Sequence, residues 1–219
     1  MERPADDPVS RSHKPAKVVL VNGLWTPALV MGSIGRRLLL DGYEPCYFHY
    51  RGRDDFERNA DSLARHVGQL GAHVHCVGHS LGGLLLLRAL SALGGLPIGR
   101  TVFIASPVRG AESARRLARL PMGTWLLGRS ARALSEGVEA RWRRAEPLGL
   151  IVGTSQLGLG RLLGPLEGAN DGVVREEETR VEGSAATLRV ASSHTPMLFS
   201  RQVAAAIGRF LEGGRFGAP

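Results

Sequence analysis

Cysteine is nearly absent. Cys46 and Cys76 are the only two in 219 residues, too few for a disulfide framework, and nothing beside them has the spacing of a metal site. Each lies in an apolar, strand-like run and is expected to be a buried free thiol, which fits a reducing, cytoplasmic compartment. Lysine is scarce too. Only two of the 28 basic residues are lysine, and against 20 acidic residues the net charge is +8. Such a balance suits nucleic acid, an anionic lipid surface or an acidic substrate, or simply a solvated surface. No aromatic-interleaved basic stripe and no nucleic-acid module accompanies it, so nucleic acid is not an expected partner. A dinucleotide fingerprint, a phosphate loop and internal repeats are all missing, so no cofactor and no metal is expected.

Long hydrophobic runs are also lacking. Met1 to Ala16 is rich in Pro, Asp, Ser and Arg and has no apolar core of a signal peptide; it reads as a disordered leader (1–16). Val18 to Gly35 and Val67 to Leu87 are uncharged, but glycines and Pro27 interrupt the first, and glycines and three histidines the second. Both read as strand, glycine turn and helix rather than as membrane spans.

What is present is an alternation. Strands are expected at Lys17 to Val21, Pro45 to Tyr50, His73 to Val77, Thr101 to Ala105, Leu148 to Gly153 and Thr187 to Ala191. Helices are expected at Pro27 to Asp41, Phe56 to Leu70, Leu81 to Leu93 and from about Met197 to Leu211. The strands are almost continuous apolar runs, as in a parallel sheet covered on both faces. One α/β domain over 17–219 follows, doubly wound and mostly parallel, with about six strands. In such sheets ligands sit beyond the carboxyl ends of the strands, which directs attention to the loops after Val21, Val77, Ala105, Gly153 and Ala191. Ser106 to Pro147 breaks the rhythm, with nine Arg against four Glu; it is a candidate cap (106–147). Thr154 to Asp171 is glycine-rich and reads as a long loop.

Gly78, Ser80 and Gly82 form G-x-S-x-G between a strand and a helix. That context suits a nucleophile elbow, in which a strained turn projects the serine hydroxyl and small neighbours let chains approach. A plain reading of Ser80 as a helix cap stands beside it. An activated serine needs an imidazole, and the imidazole needs a carboxylate. Of seven histidines, only His194 follows the last strand and precedes the last helix. His13, His49, His66, His73 and His75 lie elsewhere, and His79 sits inside the elbow. Asp171, in Asn170-Asp171-Gly172-Val173-Val174, is the best acid; Glu167, Glu176, Glu177 and Glu178 are rivals, the last three resembling a solvated charge run. A capping role for His194 and a simple Asp171-Gly172 turn are the plainer alternatives. The backbone N–H groups of Leu24, after the first strand, and Leu81, after the serine, are the expected oxyanion donors, although Asn22-Gly23 also suits a simple turn.

VNGLW, GHSLGG, NDGVV and SSHTPM together resemble the small lipase-like serine esterases of the α/β-hydrolase superfamily, from about Val18 to Phe210. The resemblance implies Ser80 as nucleophile, Asp171 as acid, His194 as base, and Leu24 and Leu81 as oxyanion donors. It departs from the family at Asn22-Gly23, where His-Gly is common, which bears on the shape of the oxyanion loop. The expected activity is hydrolysis of a small or lipid-like ester; a thioesterase or acyltransferase with the same triad, and an inert binding module on this fold, are the alternatives. The arginine-rich 106–147 segment could touch an anionic lipid surface or hold a phosphate-bearing donor; the plainer expectation is a surface helix pair with Trp125 and Trp142 in the core.

Overall fold

The computed structural model describes residues 16–26, 28–157 and 163–217, without the side chain of residue 28. Residues 1–15 of the leader 1–16, Pro27, part of the glycine-rich loop and residues 218–219 lie outside them. Six strands form one sheet: β1 Lys17–Val21, β2 Glu44–Phe48, β3 His75–His79, β4 Thr101–Ile104, β5 Leu148–Gly153 and β6 Ala186–Val190. The order is β2-β1-β3-β4-β5-β6, with every neighbouring pair parallel. The chain winds from β1 to β2, then returns past β1 to β3. The crevice between the ends of β1 and β3 is therefore the switch point, where open α/β sheets place their ligands.

Period-two alternation fills two cores. Val19, Val21, Cys76, Phe103 and Leu150 face α2 (Phe56–Leu70) and α3 (Leu81–Ala92). Val18, Leu20, Val77, Val102, Ile104 and Ile151 face α1 (Gly32–Leu40) and α7 (Arg201–Gly213). Helix α2 buries Phe56, Ala60, Leu63 and Val67 on one side, as their spacing requires. Asp55 caps it by accepting from the Arg58 N–H at 3.0 Å, and that bond, foremost, holds its carboxyl below the ordinary value. Among the described residues no helix is long and apolar enough to cross a membrane.

Several expectations need correction. The third strand begins at His75 and runs on to His79, because its ladder with β4 continues to the His79–Ile104 pair. The last helix is two pieces: a 3-10 turn over Pro196–Phe199, then α7, which Ser200 caps by accepting from Val203 N–H. Cys76 is buried, and burial pushes its thiol up to about 12. Cys46 is only half-buried, since β2 is an edge strand. Trp142 joins the core, edge-on to Phe103, but Trp125 is 56% exposed. It belongs to a run of short helices between β4 and β5: α4 Glu112–Ala118, α5 Gly123–Leu127 and α6 Ala131–Glu136.

The run Glu176 to Glu178 is not all solvated. Glu177 is exposed, whereas Glu178 is buried. Its carboxylate accepts from the Glu112 N–H at 2.7 Å, the Arg175 N–H at 2.8 Å and the Arg175 Nε at 3.0 Å, with Arg115 at 3.5 Å. Four donors compensate the loss of water, so this carboxylate ties the loop after Asp171 to α4.

Candidate active site

One residue, Ser80, turns the chain from β3 into α3. It does so at φ 53° and ψ −122°, a conformation that costs an L-residue of order 1–3 kcal/mol and persists only where the surroundings hold it. Here the Ser80 N–H donates to the Ile104 carbonyl at 2.9 Å, and its carbonyl accepts from Gly83 N–H at 3.0 Å. The hydroxyl makes no cap hydrogen bond, which removes the plain capping role.

The turn is possible because the start of α3 touches the end of β1. A Cβ on Gly82 would lie 2.3 Å from the Val21 carbonyl oxygen and 2.7 Å from that of Asn22. Gly82→Ala is therefore expected to destabilise the fold by about 2 kcal/mol or more. Urea unfolding checks this; an unchanged midpoint would contradict the close approach.

His194 lies in the loop between β6 and the 3-10 turn before α7. Its Nε2 is 3.1 Å from Ser80 Oγ, and its Nδ1 is 2.7 Å from Asp171 Oδ2. Its own N–H donates to the Asp171 carbonyl at 3.0 Å, so backbone and ring are held by one residue. Both His194 and Asp171 are buried. The other carboxylate oxygen, Oδ1, accepts from the N–H groups of Val173 at 2.9 Å and Val174 at 2.7 Å. Asn170 braces the turn: its Oδ1 accepts from Gly172 N–H, and its Nδ2 donates to the carbonyls of Leu166 and Gly168. The rival acids point elsewhere: Glu176 pairs with Arg189, Glu177 with Arg175, and Glu178 with Arg115 and Arg175. Glu167 is exposed.

His79, inside the elbow, does more than its position in the sequence suggested. Its ring lies 4.8 Å from that of His194, and its Nε2 donates to the His194 carbonyl at 3.2 Å. Burial, followed by the proximity of His194, holds its pKa well below the ordinary 6.5. The unfolded imidazole thus takes up a proton near pH 6.5 while the folded one stays neutral. This group's contribution to stability is therefore lost progressively as pH drops below that value. His79→Gln is expected to flatten that loss between about pH 6.5 and about pH 5.5, as read by urea unfolding. An equal pH dependence in both proteins would contradict it.

The loop after β1 passes beside Ser80: a Cβ on Gly23 would lie 2.9 Å from Ser80 Cβ. Asn22 braces this loop from within, its Nδ2 donating to the carbonyls of Gly23 and Thr26. Half-buried Tyr50, whose phenol is pushed well above its ordinary pKa by desolvation, donates to the Asn22 carbonyl at 2.7 Å. Among the described residues, neither the Leu24 nor the Leu81 N–H donates to a backbone carbonyl. Two free amides, a hydroxyl, an imidazole and a carboxylate at one switch point form a set able to perform acyl transfer.

A family model described as the alpha/beta hydrolase family matches residues 18–209. The chain belongs to the α/β-hydrolase family. Among solved structures, the mature lipase BlEst2 of Bacillus licheniformis is similar, with a TM-score of 0.74 at 17% identity over 94% of this chain and 95% of that one. The esterase EaEST of Exiguobacterium antarcticum gives 0.69 at 16% identity over 91% and 93%. The metagenomic carboxyl esterase MGS0156 gives 0.63 at 20% identity over 97% and 79%. At these identities the likeness is one of fold. No curated protein matches the sequence.

Proposed function

We propose that the protein is a serine hydrolase that cleaves the carboxylic ester of a small or lipid-like acyl substrate through an acyl-enzyme. The observation that carries this reading is the unbroken line from Asp171 through His194 to Ser80, at 2.7 and 3.1 Å. Asp171 Oδ2 accepts the Nδ1–H of His194, which leaves an Nε2 lone pair facing Ser80. Ser80 Oγ attacks the acyl carbonyl as Nε2 takes its proton. The N–H groups of Leu24 and Leu81 hold the oxyanion, each such donor contributing ~2.7–4 kcal/mol to transition-state stabilisation. Imidazolium then protonates the leaving alcohol, and water releases the acyl group by the same route. The lipase and esterases that share the fold support an ester as the bond. Residues 17–219 act as one hydrolase domain, with 106–147 as its cap, and the free thiols support a reducing compartment.

Hydrolysis of p-nitrophenyl esters from acetate to palmitate, beside Ser80→Ala, tests this. Turnover by the wild type alone supports the reading, and its optimum reports the acyl pocket. Inactivity on every ester, with turnover of thioesters instead, would move the substrate class; inactivity on both would favour a binding module.

A further inference from the structure

A groove of about 780 Å³ opens beside the loop after β1. Its walls are Trp25 from that loop, Arg51 and Arg53 from the loop after β2, and Trp125 and Arg129 from the cap. It adjoins the proposed oxyanion donors. Leu24 lines it, and Gly52, also on its wall, sits so close that an added Cβ would be 2.9 Å from Leu24 Cδ1 and 3.7 Å from Leu81 Cδ2. The indole N–H of Trp25 donates to the Leu126 carbonyl at 3.1 Å, joining the two walls.

The groove's charge is unbalanced. Three arginines line it against one acidic residue, Asp54. Arg129 is committed to Asp55, just behind the wall, at 2.7 Å. Among the described residues Arg51 and Arg53 form no ion pair. Arg53 instead lies over the Trp125 ring at 4.1 Å, which fixes the plane of its fork without occupying its donors. A planar fork held in advance suits a carboxylate or phosphate, and less freedom is lost on binding.

We propose that this groove is a subsite for an anionic substituent, carboxylate or phosphate, carried by the ester substrate and held by Arg51 and Arg53 between Trp25 and Trp125. It rests on the ester reading above and names the substrate class for that site.

The test compares the p-nitrophenyl monoester of glutarate with neutral p-nitrophenyl valerate. The readout is the ratio of their kcat/KM values, so any general loss of activity cancels. The wild type is expected to favour the anionic ester about tenfold, and the double variant Arg51→Gln, Arg53→Gln to bring the ratio near one, the scale of two partly exposed charge contacts. Asp54→Asn is expected to raise the ratio, and added salt to lower it in the wild type. Should the double variant not fold, Arg53→Gln and the salt dependence carry the comparison. A parallel arm measures fatty-acid release from phosphatidylglycerol and phosphatidylcholine vesicles. The same arginine-dependent preference seen only there assigns the anion to a lipid headgroup. Binding apart from turnover is read by titrating Ser80→Ala with phenyl phosphate and following tryptophan fluorescence. Saturation that the added arginine substitutions abolish sustains the subsite even if no ester is cleaved. Neutral esters cleaved at a ratio near one, with no saturable phenyl phosphate binding, would overturn the subsite and leave the ester reading standing.

Discussion

Ser80→Ala is expected to lower kcat for p-nitrophenyl esters by about a millionfold, to the residual rate that oxyanion donors and binding alone provide. The loss should be of chemistry and not of fold. The Ser80 hydroxyl caps no helix, and its backbone bonds to Ile104 and Gly83 do not involve the side chain. Alanine must still adopt φ 53°, but serine already carries that strain, so the unfolding midpoint should move little. Initial rates on the preferred ester, beside urea unfolding, separate the two effects. A variant retaining more than about a hundredth of the rate would show that another group attacks the acyl carbon.

Asp171→Asn is expected to cost about ten-thousandfold in kcat. The side chain keeps its shape, and the Val173 and Val174 N–H groups, at 2.9 and 2.7 Å, still require an acceptor at Oδ1. The amide nitrogen must then stand at Oδ2, 2.7 Å from His194 Nδ1. A donor there favours a lone pair on Nδ1 and moves the imidazole proton to Nε2, the atom facing Ser80. The base cannot accept the hydroxyl proton in that tautomer. Kinetics with near-UV circular dichroism to confirm an unchanged fold measure this. A loss below about tenfold would mean that Asp171 does not set the tautomer.

Much of the site's raw material was legible because it is local. The Gly78-Ser80-Gly82 pattern sits where an apolar run stops and a helical one begins. His194 and Asp171 each follow a strand, and the parallel sheet delivers all such loops to one edge. The bond distances were not legible, nor was the sheet order that sets β1 beside β3. Glu178 shows why local pattern fails: its burial depends on the Glu112 N–H and Arg115 arriving from α4. Trp125 shows the converse, since an indole in an apolar cluster finds Arg53 to cover it instead of the core. His79 could be read as part of the elbow, but its bond to the His194 carbonyl joins residues 115 apart in the chain. The loop after β2 falls equally under the carboxyl-end rule, and it carries both Tyr50, which braces the Asn22 carbonyl, and the groove's Arg51 and Arg53.

The departure at Asn22 also has a physical account. At the position where the sequence departs from the pattern it resembles, the asparagine amide binds the carbonyls of Gly23 and Thr26. The asparagine amide thus bridges the loop that passes Ser80 at Gly23.

The most direct measurement of the central claim is mass spectrometry after treatment with a fluorophosphonate, which forms a covalent bond only with a serine that its own site has activated. A single adduct on the peptide bearing Ser80, absent in Ser80→Ala and strongly slowed in His194→Ala, is the predicted result. No adduct on folded wild-type protein, or an adduct on another serine, would contradict it.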